Sequence, residues 1–273
     1  MQLEDHCGDI IRKARALGGV STAAAAAAAG ISESALATLE AAGTVPNKIN
    51  FPELAKTIGL HPQKLAAIAS GWLPSPKKLS GWRELRMFTT KNDELSVNCY
   101  LIWDPATRAA ALFDTGLDAL PILETIAAGG VVLKHIFITH SHWDHVEALP
   151  AIRAAFPDAQ LHSGSPNAPV RQRNRPDEIV RLGELSLAHR ATPGHAVDGV
   201  TYLVSNWSPS APTVAFVGDA IFAGSIGRGN QSWDVARQKV REEILSLPLD
   251  TLICPGHGPM TTVAEEVKSN PFF

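Results

Sequence analysis

A chain of 273 residues, 45% hydrophobic and 19% charged, has the composition of a globular protein with room for one large domain and a small one. Its net charge of −3 excludes a general polyanion binder, and three scattered cysteines (Cys7, Cys99, Cys254) exclude a disulfide framework and fit a reducing, cytoplasmic setting. The opening MQLEDHCGDI carries acids where a secretion signal is basic and apolar, and the alanine run Ala23 to Ala29 is too short to span a membrane.

Composition divides the chain into a helical part, residues 1–73, a linker, 74–84, and an α/β part, 85–273. The first part reads as five short helices. Ile10, Ile11, Ala14 and Leu17 form one apolar stripe ended by Gly18-Gly19. Ser21 caps an alanine helix that stops at Gly30, and Ser32 caps the next, which holds Leu36 and Leu39 and stops at Gly43. Leu54, Ile58 and Leu60 mark a fourth helix, and Leu65, Ala66 and Ile68 a fifth. Two helices hinged at Gly30-Ile31-Ser32 have the outline of a helix-turn-helix, and residues 10–70 resemble the Cro/phage-repressor type of DNA-binding domain. That resemblance implies DNA as a partner and a metabolite-sensing regulator as one reading of the chain. The helix from Ser32 to Ala42 departs from it: it offers Glu33 and Glu40 and no cation, although phosphate contacts supply much of the affinity for DNA. Docking or homodimer formation is the favoured reading of the helical part.

In the second part, Leu95–Trp103 and Ala109–Asp114 read as a hairpin turned at Asp104-Pro105. A helix follows from Leu117 to Ala128, then a buried strand from Val132 to Thr139 and a helix from Val146 to Phe156. Further strands fit 159–162, 185–191, 200–204, 213–217 and 252–254, with a helix over 232–245. Pattern alone gives α/β.

The chemistry concentrates at strand ends. Thr139-His140-Ser141-His142-Trp143-Asp144-His145 follows an apolar strand and packs three imidazoles and a carboxylate together, a costly arrangement unless the groups bind something. Thr192-Pro193-Gly194-His195, Val217-Gly218-Asp219 and Cys254-Pro255-Gly256-His257 each place one more ligand type after an apolar run. Imidazole and carboxylate suit zinc, iron or manganese rather than calcium.

With these motifs, residues 85–273 resemble the metallo-β-lactamase superfamily, and within it the short, glyoxalase II-like branch; Gly218-Asp219-Ala220-Ile221-Phe222-Ala223-Gly224-Ser225-Ile226-Gly227-Arg228 belongs to the same likeness. The resemblance implies a four-layer αβ/βα sandwich and two divalent metal ions, most naturally zinc. One ion would be held by His140, His142 and His195, the other by Asp144, His145 and His257, with Asp219 bridging. It implies a hydroxide between the metals attacking a small thioester of the acyl-glutathione kind, with Asp144 orienting the water or carrying its proton. Arg228 either meets an anionic substrate group or braces the loop behind Asp219, and Tyr202 either lines the pocket or fills core. Trp143 is expected beneath the metal loop, and Cys254 in buried packing. Two departures keep the substrate open: Ala196-Val197-Asp198-Gly199 after His195, and a short tail after His257 where longer glyoxalase II enzymes grip glutathione with a helical region. Persulfide dioxygenases share the motif set with a single iron, here at His140, His195 and Asp219.

Overall fold

The computed structural model describes residues 2–77, 79, 82–207 and 211–273; Lys78, Ser80 and Gly81 of the expected linker lie outside them. Five helices come first: α1 (Cys7–Leu17), α2 (Thr22–Ala29), α3 (Glu33–Ala42), α4 (Phe51–Thr57) and α5 (Pro62–Ala69). Ser21 and Ser32 accept the backbone N–H of Ala24 and Ala35, and Gly30 and Gly43 close α2 and α3 in the left-handed conformation. The capping residues read from the sequence do that work because each supplies what a helix end lacks, an acceptor at the start or a positive φ at the stop.

Two sheets follow. The first runs β1 (Leu85–Lys91), β2 (Ser96–Trp103), β3 (Ala109–Phe113), β4 (Val132–Ile138) and β5 (Gln160–Ser163), antiparallel across β1–β2–β3 and parallel across β3–β4–β5. The second is built from β6 (Val180–Leu182), β7 (Leu185–Ala191), β8 (Val200–Ser205), β9 (Val214–Gly218), β12 (Leu252–Pro255) and β13 (Thr261–Thr262). A two-residue hairpin, β10 (Ile221–Phe222) with β11 (Ser225–Ile226), hangs between β9 and β12. Alternation along β2 explains the sandwich: Tyr100 and Ile102 face the other sheet with Phe113, Phe137, Tyr202 and Phe216, whereas Cys99 and Leu101 face helices α6 (Leu120–Gly129) and α8 (Leu149–Ala155).

The outer face of the second sheet has a different cover. Ala215, Val217 and Ile253 share one hydrophobic cluster with Val240 and Ile244, which follow α9 (Trp233–Lys239), with Val263 of α10 (Val263–Ser269), and with Ile10, Ile11, Leu36, Leu54 and Leu65 of the five N-terminal helices. The helical part therefore packs into the fourth layer instead of hanging from a tether. Polar contacts fasten the same seam: His61 donates its backbone N–H to Pro271 O at 2.8 Å, Lys64 donates to Val267 O and Phe273 O, and Lys77 pairs with Glu265.

The acids of α3 also find a structural reason. Glu40 is buried and takes the Arg15 guanidinium with both oxygens, at 2.6 and 2.7 Å. Lys13 is buried as well, held by Asp5 and by Ile226 O at 2.7 Å, and Arg12 pairs with Asp9 at 2.8 Å. Of the three cations on α1, Lys13 and Arg15 are thus engaged inside the protein, whereas Arg12 is exposed beside Asp9. Among the described residues, no helix is long and apolar enough to cross a membrane.

Candidate metal centre

The candidate ligands sit after the carboxyl ends of four strands. His140 and His142 follow β4, Asp144 and His145 ride on the single turn α7 (Trp143–Val146), and His195, Asp219 and His257 follow β7, β9 and β12. Strand ends suit such a site because the strand fixes the backbone while the turn lets side chains converge. Gly218 makes one of these turns possible: its φ is +51°, and a Cβ there would stand 2.4 Å from Thr139 Oγ1. Gly227 allows the loop behind Asp219 to close, since a Cβ there would strike Asp219 O at 1.8 Å.

The seven side chains meet. His142 Nδ1 lies 3.0 Å from both His140 Nε2 and His195 Nε2. On the other side, His257 Nε2 is 3.2 Å and His145 Nε2 3.7 Å from Asp144 Oδ2. Asp219 stands between, with Oδ1 3.3 Å from His145 Nε2 and Oδ2 3.4 Å from both His195 Nε2 and His257 Nε2. The donor atoms of His140, His142 and His195 lie within 4.8 Å of one another, as do those of Asp144, His145 and His257, and those of His140, His145 and Asp219. Each trio is compact enough to share one ion.

Hydrogen bonds on the far side of each ring set the tautomers. His145 Nδ1 donates to Asp114 Oδ2 at 2.8 Å, His195 Nδ1 to Arg228 O at 3.0 Å and His257 Nδ1 to Ser96 O at 2.6 Å. Thr139 Oγ1 accepts from His140 Nδ1 at 3.2 Å while donating to Asp114. Four rings therefore turn Nδ1 outward to an acceptor and Nε2 inward, the arrangement that readies imidazole for a metal once any Nε2 proton is displaced. His145 Nε2 and Asp219 Oδ1 are buried with no hydrogen-bond partner among the described residues. Leaving such atoms unsatisfied is costly, and a cation between the two trios would satisfy both. The donor set and these two orphaned atoms fit a divalent metal centre.

Asp114 escaped the sequence reading. It ends β3 as Asp219 ends β9, an acid directly after an apolar run, and that shared pattern was the available signal. It is buried, adopts a φ of 55°, and accepts the Thr139 backbone N–H at 2.8 Å as well as the His145 ring.

The electrostatics of the metal-free cage follow from crowding. Burial disfavours a charged His145, but Asp219 and Asp114 outweigh it and push its pKa up to about 10. His257 is likewise disfavoured by burial, yet Asp219 and Asp144 lift it to about 11. His140 goes the other way: burial, then the neighbouring His145, holds it well below the usual imidazole range. For Asp219, burial is overcome by His257 and His145, which hold the carboxyl well below its ordinary range.

The remaining expected residues fall elsewhere. Tyr202 is 1% exposed; it lies in the core between the sheets, donates its hydroxyl to Ile138 O and accepts from Asn174 at 3.0 Å, so it fills core. Trp143 is half exposed rather than beneath the metal loop, because α7 turns its first residue to solvent while Asp144 and His145 point inward. Arg228 braces through its backbone carbonyl on His195, and its side chain is exposed. Cys254 is fully buried among apolar neighbours, and burial pushes its thiol well up.

Comparison with known proteins agrees with this geometry. Residues 92–257 match the family model described as the metallo-beta-lactamase superfamily. The chain is 30% identical over 200 residues to a hydroxyacylglutathione hydrolase of Haemophilus influenzae, covering 64% of this chain and 92% of that protein. It is 32% identical over 181 residues to the human mitochondrial persulfide dioxygenase ETHE1, covering 63% of this chain and 69% of that protein. Among solved structures, ETHE1 from Myxococcus xanthus superposes with a TM-score of 0.59 at 32% identity, over 68% of this chain and 83% of that one. The matched family, the two-sheet sandwich and the strand-end cluster of histidines and aspartates agree, and this chain belongs to the metallo-beta-lactamase superfamily.

Proposed function

We propose that the protein is a binuclear metal-dependent thioesterase acting on acyl-glutathione-like or other small thioesters. The observation that carries the reading is the pair of ligand trios, His140/His142/His195 and Asp144/His145/His257, with Asp219 in contact with both. Two divalent ions held there, zinc by preference of the donor set, would supply Lewis acidity and bring the pKa of a water into the neutral range. The chain's own groups then do the rest. Asp144 and Asp219 supply the negative charge of the cage, and the outward bonds to Asp114, Ser96 O and Arg228 O keep the Nε2 atoms of His145, His257 and His195 aimed. Asp144 is held below its ordinary pKa, burial being outweighed by His257 and His145, so at neutral pH it is an acceptor that orients the water. The water oxygen bonds to the acyl carbon, the C–S bond breaks, and the water's proton passes by way of Asp144 to the departing sulfur. Acid and thiol are the products.

The likeness to hydroxyacylglutathione hydrolase supports this substrate class. The likeness to ETHE1 supports a second reading: one iron at His140, His195 and Asp219, oxidising a persulfide with dioxygen. Elemental analysis beside S-lactoylglutathione hydrolysis separates them. About two ions per chain with turnover supports the thioesterase. One iron, no thioester turnover and oxygen uptake with glutathione persulfide would replace it.

A further inference from the structure

The helical part reaches the metal centre through one buried cation. Lys13 of α1 is 8% exposed, and its ammonium meets three acceptors: the Asp5 carboxylate, Ser225 Oγ at 3.5 Å and Ile226 O at 2.7 Å. Asp5 also takes the Ser225 hydroxyl, so the charge pair closes on the β10–β11 hairpin. An ammonium has three protons to place, and all three find a partner here. Burying a charge is costly, and Ile10, Ile11 and Ala14 of the same helix already supply apolar contact.

What Lys13 holds lies next to ligands of both trios. Two residues after Ile226, the Arg228 carbonyl takes His195 Nδ1–H at 3.0 Å. Between them Gly227 packs on the Asp219 backbone, too closely to admit a Cβ. On the other strand of the hairpin, the Lys13 ammonium stands over the face of Phe222, 5.6 Å from its centre. The Phe222 and His257 rings meet edge to face, with centroids 5.7 Å apart and planes at 84°. Beside Asp5, the backbone of Glu4 lies against Gly258, the residue after His257: a Cβ on Gly258 would stand 3.0 Å from Glu4 N. Residues 4–13 thus touch the turns that carry His195 and His257, although they lie outside the residues 92–257 that match the family.

We infer that Lys13 is a positioning residue of the metal centre. Through Ile226 O it fixes the turn whose Arg228 carbonyl orients His195, and through the Phe222 ring it backs His257. This gives the N-terminal helices a role, because α1 carries the cation into place. The inference rests on the metal-centre reading and not on the choice of substrate.

The test uses the full chain loaded with zinc, or with cobalt(II) as a visible probe of ligand geometry. Lys13→Met keeps the stem and removes the charge and its donors, and Lys13→Arg restores a cation. Leu36→Ala, a truncation in the same hydrophobic cluster that keeps Lys13, serves as the destabilised control. Lys13→Met is expected to weaken zinc binding about tenfold or more in chelator competition. It should also shift the visible bands of the cobalt protein, and speed water exchange of the His195 Nδ1–H proton by a similar factor in NMR. Lys13→Arg should recover part of each change, and Leu36→Ala should lower the melting temperature while leaving all three at wild-type values. Should Lys13→Met fail to fold, Lys13→Gln carries the same expectations, since it keeps a donor for Ile226 O without the charge. Wild-type zinc affinity and cobalt spectra in a folded Lys13 variant without the charge, or equal changes in Leu36→Ala, would reduce Lys13 to a structural ion pair and overturn the inference. None of these readouts is turnover, so they decide the matter whether or not a thioester is the substrate.

Discussion

At the scale of single residues, the centre depends on groups that touch no substrate. Asp114 holds His145 by its Nδ1 and Thr139 by its backbone and hydroxyl, and Thr139 in turn meets His140 Nδ1, so one carboxylate orients one candidate ligand directly and a second through Thr139. Asp114→Asn keeps the size but offers an amide where the imidazole N–H needs a charged acceptor. Losses of about 10- to 100-fold in metal affinity or activity are typical for such partners. Metal titration of the variant should show the loss with the fold intact by circular dichroism; unchanged affinity would leave Asp114 a purely structural role. Protons follow the same logic. In the metal-free protein, His145 and His257, raised to about 10 and 11, are both charged at pH 7. Their folded pKa values exceed that of free imidazole, so their contribution to metal-free stability is complete below about pH 6.5 and is lost as pH rises through 10 to 11. A metal must displace those protons. Calorimetric titrations in buffers of differing ionisation enthalpy should therefore count up to about two protons released per ion at the Asp144/His145/His257 trio, with apparent affinity rising as pH rises.

At the scale of elements, α10 is fixed by a carboxyl in an unusual setting. Glu266 is fully buried, accepts the Gly224 N–H at 3.0 Å and Asn270 Nδ2 at 2.9 Å, and takes the Thr261 hydroxyl at 2.7 Å. Burial nevertheless dominates and raises its pKa to about 7, against donors that pull it down. A carboxyl whose folded pKa is raised stabilises the fold relative to the chain at low pH and loses that contribution as pH climbs from about 4.5 to 7. Glu266→Gln should remove that slope. The wild-type protein loses roughly 3 kcal/mol at most across the window, and the variant loses less. Urea unfolding at pH 5 and pH 8 reads the difference; parallel curves for the two proteins would show that Glu266 does not titrate there. The same scale shows what sequence made legible. The caps Ser21, Ser32, Gly30 and Gly43, the β2–β3 hairpin and the clustering of the seven candidate ligands were readable because each is local chemistry or a motif in order. The short strands β6, β10, β11 and β13 were not, being two or three residues long and paired only through the fold. The backbone role of Arg228 was beyond sequence too, since a carbonyl's partner is set by distant geometry.

At the scale of the whole molecule, the break in composition near residue 75 suggested two separable parts, but the apolar cluster under the second sheet runs through both. Ile10, Leu36, Leu54 and Leu65 from the helices are as buried as Ala215, Ile253 and Val263 from the sandwich, and they belong to one cluster. Removing the helices would bare the outer face of β9 and the Lys13 partner at Ile226 beside the metal loop. A shared core unfolds as a unit, because neither part keeps its burial without the other. Thermal unfolding should therefore be a single transition, coincident by helical circular dichroism and by fluorescence of a variant that keeps Trp103, which packs against the far sheet and helix layer, as its single tryptophan. Leu65→Ala, which empties a fully buried site in α5, should lower both signals together, by the roughly 2–5 kcal/mol usual for such truncations. Chelation should shift both to lower temperature as well, since bound metal stabilises the folded state by mass action. Two separate transitions, with Leu65→Ala moving only the helical one, would show that the N-terminal helices are an independent appendage and would withdraw them from the site they flank.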